Sequence, residues 1–274
     1  MTFFKQAVVW LAHPIETPPP SYGAHHLIYV ALFVVGTFVF CYFLKNCSDK
    51  TMRRVTLFVW IPFVLMEIGN QLVFTYDAGW QYPWEYFPFQ LCSTPLYLMP
   101  LVAFTKESKF RDAIMAFIST FAFFGGLVVF IYPNDVFCWF DYINHKTMLH
   151  HGTQILIGIF YFVYNRKKVN FAYFVRAIYV FVACCIVAIF INEIGYATIV
   201  KNDPEQMINM FYFSRHFGSH LPILSNIWQA VKDVAPALFT PIYIVGFSVA
   251  ALLMQYIMVG IYKLVQKLKT KKHA

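Results

Sequence analysis

Long apolar stretches are the feature of the sequence that most restricts its fold. A helix needs roughly 18 to 25 apolar residues to cross a hydrocarbon core of about 30 Å. Because 59% of the 274 residues are hydrophobic and only 12% are charged, a soluble core of this size cannot bury them. The sequence predicts an all-α, multi-pass protein of the cell membrane, a bundle of seven transmembrane helices. The predicted spans are 27–44, 55–76, 87–105, 113–132, 147–164, 177–200 and 237–262.

Lys and Arg are distributed unevenly between alternate loops. One set of loops, which includes Arg111, holds 16 of them, and the other set, which includes Lys146, holds five. The positive-inside rule then predicts a cytoplasmic C-terminus and an N-terminus outside. The net charge of +8 is explained by this orientation and by contact of the basic residues with lipid headgroups. We therefore expect lipids and no nucleic acid as partners.

Two segments outside the predicted spans have a distinct composition. Residues 1–24 hold an apolar run too short for a secretory signal, with no small-residue cleavage site after it, and predict a short interfacial helix that is retained. Residues 201–236 mix aromatic and polar side chains and predict an extracytoplasmic lid or a helix on the membrane surface. Without repeats or an internal boundary, the sequence predicts one domain, 1–274, and leaves the oligomeric state open.

Polar side chains within the predicted spans gather towards the outer end of the bundle. Their depths follow from the predicted topology and a rise of about 1.5 Å per residue. Since an unpaired charge in hydrocarbon costs several kcal/mol, the carboxylates should face the interior, and we expect a polar pocket that opens outward. The expected pocket residues are Glu67, Asn70, Gln71, Gln90, Cys92, His150, His151, Gln154, Asn192 and Glu193.

Helical spacing places several of these side chains on shared faces. Glu67, Asn70 and Gln71 stand at i, i+3 and i+4, and His150 stands four residues before Gln154. Because adjacent His150 and His151 are about 100° apart on a helix, at most one points at the pocket centre. The alternative interpretation is that the amide and histidine side chains only form hydrogen bonds that hold neighbouring helices together.

Cys92 lies in the stretch FPFQLCSTPLYLMPL, where prolines interrupt a predicted span. Pro95 should delete the helical bond to the Leu91 carbonyl, and irregular backbone at membrane depth is tolerated where it lines a cavity. A thiol needs a base to act as a nucleophile, and His151 lies at matching depth. The sequence leaves open a Cys92–Cys138 disulfide and the reading of Cys92 as a small apolar filler.

These motifs resemble the YwaF-like bacterial integral membrane proteins, whose eukaryotic relatives include a transmembrane acyltransferase that makes ether phospholipids. The similarity lies in PFQLC at 88–92, the pair Gly125-Gly126 followed by Pro133, His151-Gly152, and INEIGY at 191–196. The resemblance implies a seven-helix bundle in which Cys92 accepts acyl groups and His151 is the base. Glu193, Glu67 or Asn192 would hold the imidazole, and Gln90, Asn70 or backbone N–H groups would bind the oxyanion.

Three functions therefore remain open at the level of the sequence. The first is a lipid acyltransferase or hydrolase that uses Cys92, His151 and Glu193 and needs no cofactor. The second is a transporter or a lipid- or solute-binding protein in which Glu67 and Glu193 bind a proton or cation. The third is a metal site that draws on His25, His26, His150, His151, Glu67 and Glu193, among which no HExxH or HxxxH pair occurs.

Overall fold

The computed structural model describes residues 3–134 and 136–272, and its regular secondary structure is helical throughout these ranges. Ten α-helices follow one another along the described chain, with short 3₁₀ and π turns between some of them. They are α1 (Phe3–Leu11), α2 (Ala24–Leu44), α3 (Asp49–Asp77), α4 (Pro95–Phe104), α5 (Lys109–Phe117), α6 (Phe123–Ile131), α7 (Asp141–Tyr164), α8 (Phe171–Gly195), α9 (Leu224–Val231) and α10 (Phe239–Lys272).

Several of these helices are long and apolar enough to cross a membrane, so the prediction of a helical, multi-pass membrane protein is confirmed. Helices α5 and α6 join through the π turn Ile118–Ala122 into one continuous rod, and α8 continues through the π turn Tyr196–Val200. In the described ranges the length and composition criteria select five spans: Ala24–Leu44, Asp49–Asp77, Lys109–Ile131, Phe171–Val200 and Pro236–Leu264.

The predicted spans 87–105 and 147–164 differ from the other five. Residues 87–94 form turns, and only the ten-residue α4 is helical. Helix α7 is long, but its first half is polar. It packs against α2, α3, α5 and α6, so protein rather than lipid surrounds much of its surface. A helix enclosed in this way can carry polar side chains that a lipid-facing helix cannot.

Helix α7 runs antiparallel to α3 along most of its length. Near one end the Lys146 ammonium lies 3.1 Å from the Glu67 carboxylate. Near the other end the Tyr164 hydroxyl donates to the Asp49 carboxylate at 3.3 Å. The bundle therefore has a Glu67 end and an Asp49 end, and the residues of the predicted pocket lie towards the Glu67 end.

Proline determines the local structure of α4. Pro95 begins the helix, where its missing N–H needs no acceptor. The expectation that Pro95 loosens a helix already begun at residue 87 is therefore wrong. Pro100, inside α4, cannot donate to the Leu96 carbonyl, and the Trp60 indole of α3 donates to that oxygen instead at 2.8 Å.

Arg111 is buried at the Asp49 end, although we counted it among the loop cations. It lies in the first turn of α5, and its side chain is 0% exposed. Its Nη2 lies 2.5 Å from Asp49 Oδ1, whose side chain is 40% exposed. Because the Tyr164 hydroxyl also binds this carboxylate, the pair joins α3, α5 and α7.

Candidate functional site

The Cys92 carbonyl is the point at which the α4 segment meets α7. Cys92 lies in the 3₁₀ turn Leu91–Ser93, directly before α4. The residue that would donate back to this carbonyl in a continued 3₁₀ turn is Pro95, which has no N–H. Two side chains of α7 take its place: His150 Nε2 lies 3.0 Å from the Cys92 oxygen, and the Gln154 amide nitrogen donates to the same oxygen.

These hydrogen bonds assign the tautomers of both histidines. A carbonyl only accepts, so His150 Nε2 and Gln154 Nε2 are donors to Cys92. The Gln154 oxygen then faces His151 Nδ1 at 3.3 Å, and His151 Nδ1 must carry a proton. His151 Nε2 is left as a lone-pair acceptor, the form in which an imidazole acts as a base.

Exposure distinguishes the two imidazoles. His150 is 2% exposed, and its ring stacks on Phe63 with centroids 4.1 Å apart. Its Nδ1 has no hydrogen-bond partner within the described part of the chain. His151 is only partly buried. Of the two rings, His151 is the one that a bound molecule reaches more easily.

A second layer of polar groups surrounds Glu67 on α3. Its carboxylate accepts from Gln71 at 2.6 Å and from Asn70 at 3.2 Å, in addition to its ion pair with Lys146. The Tyr82 hydroxyl donates to the Gln71 oxygen at 2.6 Å. Burial, together with the Glu67 charge, raises the pKa of Tyr82 to about 12, which keeps this hydroxyl protonated.

Lys146 stands four residues before His150 on α7 and pairs with Glu67, so the two layers are joined into one site. We call it the Cys92 cluster. Its members are Glu67, Asn70, Gln71, Cys92, Lys146, His150, His151 and Gln154.

The Cys92 thiol itself is free and partly buried. Among the described residues, no hydrogen bond joins it to either imidazole, so the contact with α7 runs through the carbonyl. Cys138 is also a free thiol, and its backbone lies beside Asn144. The structure contains no Cys92–Cys138 disulfide across these described positions.

Gln90 and Asn192 bind a loop instead of pointing into the Cys92 cluster. Gln90 donates to the Asn209 carbonyl at 3.0 Å and accepts from the Phe211 N–H at 2.7 Å. Asn192 makes two similar bonds, to the N–H and the carbonyl of Met210. These amides support two consecutive residues with left-handed backbones, Phe211 with φ 60° and Tyr212 with φ 53°. We call residues 209–214 the Asn209 loop.

Glu193 lies outside the Cys92 cluster. Its carboxylate is 2.7 Å from Arg215 Nη2 and 3.3 Å from His216 Nε2. The hydrogen bond that Arg215 donates to Glu193 raises the pKa of Arg215, so this guanidinium stays charged. The structure thus gives His151 a partner in Gln154, while Glu193 belongs to a separate group.

Within the described residues, no three His, Cys, Asp or Glu side chains are placed together so that they could hold a metal ion. His25 contacts the His145 ring, with centroids 4.8 Å apart, while Glu67 is paired with Lys146. The ligands that a metal site would need are therefore spread over separate contacts.

Sequence reasoning missed Lys146 and the Asn209 loop. Lys146 entered only the count of loop charges, yet it stands four residues before His150 and eight before Gln154, on the same face of α7. That spacing was a usable signal. For the Asn209 loop we see no comparable signal, because its contacts come from residues far away in the sequence.

A close approach of α6 fixes the position of His151. A Cβ added at Gly126 would lie 2.5 Å from the His151 carbonyl oxygen, whereas one at Gly125 would meet only Gln154 Oε1, at 4.0 Å. We therefore expect Gly126→Ala to push α7 away and to lower the free energy of unfolding by about 2 kcal/mol.

Gly125→Ala is the matched control for this substitution and should be neutral or slightly stabilising, because alanine favours the helix. The measurement is thermal unfolding of both purified variants in detergent. Equal shifts of the two midpoints would show that the close approach at Gly126 does not constrain α7.

Comparison with known proteins gives one match. A family model described as the TMEM164 family, a transmembrane family, matches residues 21–259, which is most of the chain. No curated protein and no solved structure matches the chain.

Proposed function

The chain belongs to the TMEM164 family, and from this premise and the Cys92 cluster we propose that it is a membrane enzyme that transfers acyl groups of lipids through Cys92. The observation that carries the proposal is the position of the Gln154 amide. Its nitrogen donates to the Cys92 carbonyl and its oxygen accepts from His151 Nδ1. One side chain thus holds the candidate nucleophile and the candidate base together, a cysteine–histidine–amide arrangement.

In the proposed reaction the Cys92 sulfur attacks the ester carbonyl of a lipid, and the thiol proton passes to His151 Nε2. The bond from the acyl carbon to the lipid oxygen breaks, and that oxygen leaves with the proton from His151. The product is a thioester on Cys92. The hydroxyl of a second lipid, or water, then attacks the thioester while His151 accepts its proton, and the thiol is restored.

The charged groups of the cluster compensate each other. The Lys146 ammonium lies 3.1 Å from the Glu67 carboxylate, so neither charge is left unpaired within the membrane. We assign the oxyanion to the Leu96 N–H in the first turn of α4, since the next two N–H groups along the helix already donate to the Thr94 carbonyl. Gln90 is engaged by the Asn209 loop and Asn70 by Glu67, so these amides support neighbouring structure in our scheme. Transfer of the thiol proton to His151 needs a bridging water or rotation of the Cys92 side chain.

We further propose seven crossings of the cell membrane by one domain, with α4 and its preceding turns and α7 added to the five long spans. The contacts of α7 with both Glu67 and Asp49 support a full crossing by this helix. The count of 16 against five basic residues in alternate loops favours a cytoplasmic C-terminus. The Cys92 cluster then lies in the outer half, beneath a lid formed by residues 201–236.

Acyl labelling tests the proposed function directly. The purified protein is incubated in nanodiscs with a phosphatidylcholine whose acyl chain ends in an alkyne, and the labelled residue is found by mass spectrometry. We expect a label on Cys92 that neutral hydroxylamine removes, as it removes thioesters. Cys92→Ala should abolish the label. Cys92→Ser should give either no label or an oxygen ester, which neutral hydroxylamine does not cleave.

Cys47→Ser, at a second partly buried free cysteine, is the matched control and should retain full labelling. If phosphatidylcholine, phosphatidylethanolamine and lysolipid probes all leave Cys92 unlabelled in folded protein, the acyl-transfer proposal is refuted. A binding or transport role that uses Glu67 would then be the better reading.

A further inference from the structure

A cleft of 620 Å³ lies between α8 and α10, beside the Asn209 loop. This volume lies within the usual range of ligand sites in proteins, about 300 to 1,000 Å³. Both walls are helices that meet the criteria for membrane spans. The lining residues used below are Ile189, Glu193, Phe213, Arg215, Ile244 and Val245.

The lining changes from apolar to charged along the cleft. Ile189, Ile244 and Val245 line the part that lies deeper along α8 and α10. Glu193 and Arg215 line the part nearer the end of α8, within about two turns of Val200, the last residue of that span. A molecule that fits this lining has an apolar chain and a charged head at the membrane surface.

The charged end of the cleft is accessible and held in place. The side chains of Arg215 and Glu193 are 54% and 36% exposed, so both reach solvent while they pair with each other. His216 binds the same Glu193 oxygen, and its ring stacks on Tyr196 with centroids 3.6 Å apart. Arg215 is therefore a charged guanidinium with donors free for an oxyanion, and guanidinium pairs well with phosphate.

We propose that this cleft binds a glycerophospholipid of the bilayer, with one acyl chain between α8 and α10 and its phosphate on Arg215. Neighbouring faces of α10 are apolar and exposed, Val249 at 50% and Leu253 at 60%, so bilayer lipids have direct access to the cleft from the side. A soluble anion would not use the apolar length of the cleft, and a lipid without phosphate would not use Arg215.

The Asn209 loop connects this cleft to the Cys92 segment. Phe213 of the loop lines the cleft, and the Phe211 ring stacks on Phe89, three residues before Cys92, with centroids 5.8 Å apart. A lipid in the cleft would therefore lie one loop away from Cys92. The binding assignment goes beyond the proposed acyl transfer, because occupancy of the cleft does not require the Cys92 thiol.

Photolabelling tests the assignment. The full-length protein is reconstituted into nanodiscs that contain a phosphatidylcholine with a diazirine in its acyl chain, and labelled peptides are quantified by mass spectrometry. We expect labelling of α8 and α10 at the cleft to exceed that of other exposed faces. Arg215→Gln should reduce it about tenfold, the effect of losing one charge-assisted hydrogen bond. Ile244→Trp should reduce it by filling the apolar part.

Three controls make the result specific. Ile257→Trp adds the same side chain at an exposed position of α10 further from the cleft and should leave the labelling unchanged. A diazirine diacylglycerol, which lacks phosphate, should be insensitive to Arg215→Gln. Cys92→Ala should label as the unmodified protein does, which separates a failure of acyl transfer from a failure of lipid binding.

Several outcomes would overturn the assignment. Labelling that Ile244→Trp leaves unchanged would mean that the lipid does not occupy the cleft. If Arg215→Gln leaves the labelling unchanged, the assignment of the lipid phosphate to Arg215 is wrong. Displacement of the probe by excess inorganic phosphate would identify a soluble anion as the ligand in place of a lipid.

Discussion

Replacement of His151 by glutamine should lower the rate of thioester formation on Cys92 by about 10²- to 10⁴-fold, the usual contribution of a general base. Glutamine is polar and similar in length, so the hydrogen-bonding character of the position is kept while the base is lost. The rate is measured in single-turnover labelling with the alkyne phosphatidylcholine. Lipid photolabelling at the α8–α10 cleft should stay unchanged, since Arg215 and Ile244 are not altered.

His150→Gln is the matched comparison on the same helix. The glutamine amide can still donate to the Cys92 carbonyl, as His150 Nε2 does at 3.0 Å. We expect this variant to lose at most about tenfold in rate, far less than a lost general base costs. The unmodified protein and His150→Gln should both show the fall in rate at low pH that a neutral imidazole base imposes, and His151→Gln should lose this limb of the profile. A larger loss in His150→Gln than in His151→Gln would assign the base to His150.

Asp49→Asn should lower the free energy of unfolding by about 3 kcal/mol. The substitution removes the partner of a guanidinium that is 0% exposed, and an uncompensated buried charge is strongly destabilising. The value lies at the low end for buried pairs because the Asp49 side chain is 40% exposed, so solvent already screens part of the interaction. The change is measured by unfolding the purified protein in detergent with heat or with sodium dodecyl sulfate.

A double variant separates the buried charge from general damage. When Arg111→Met is combined with Asp49→Asn, no charge is left unpaired, and most of the lost stability should return. Additive losses in the double variant would show that the two side chains stabilise the bundle independently. They would contradict the role of the pair in joining α3, α5 and α7.

Helical periodicity accounts for what the sequence predicted well. Glu67, Asn70 and Gln71 follow the i, i+3, i+4 pattern and do meet, with both amides donating to the Glu67 carboxylate. The relation of Gln154 to the two histidines also follows from positions within one helix. Contacts of this kind depend on the geometry of a single element, which the sequence contains.

Contacts between elements were not predictable in the same way. Depth along the membrane placed Glu193 level with His151, but depth says nothing about rotation around the bundle axis, and Glu193 faces Arg215 and His216. The burial of Arg111 was hidden for a related reason. A basic residue at a helix terminus normally belongs to a loop, and only tertiary packing buries this one.

The boundary of α4 shows how one residue can be given the wrong structural role. Apolar residues continue from Phe87 to Thr105, so hydropathy alone favours one long helix with Pro95 inside it. Proline is accepted more readily at the first position of a helix, and the chain starts α4 there. Cys92 thereby falls outside the helix, and its carbonyl becomes available to α7.

The Asn209 loop makes the opening of this bundle observable at single amides. The N–H groups of Met210, Phe211 and Ser214 donate to side chains of Asn192, Gln90 and Asn209, and the first two of these acceptors belong to other parts of the fold. Hydrogen–deuterium exchange at Met210 therefore follows the separation of the loop from α8, and exchange at Phe211 follows its separation from the turn before α4. Two neighbouring residues thus report separately on the two partners of the loop.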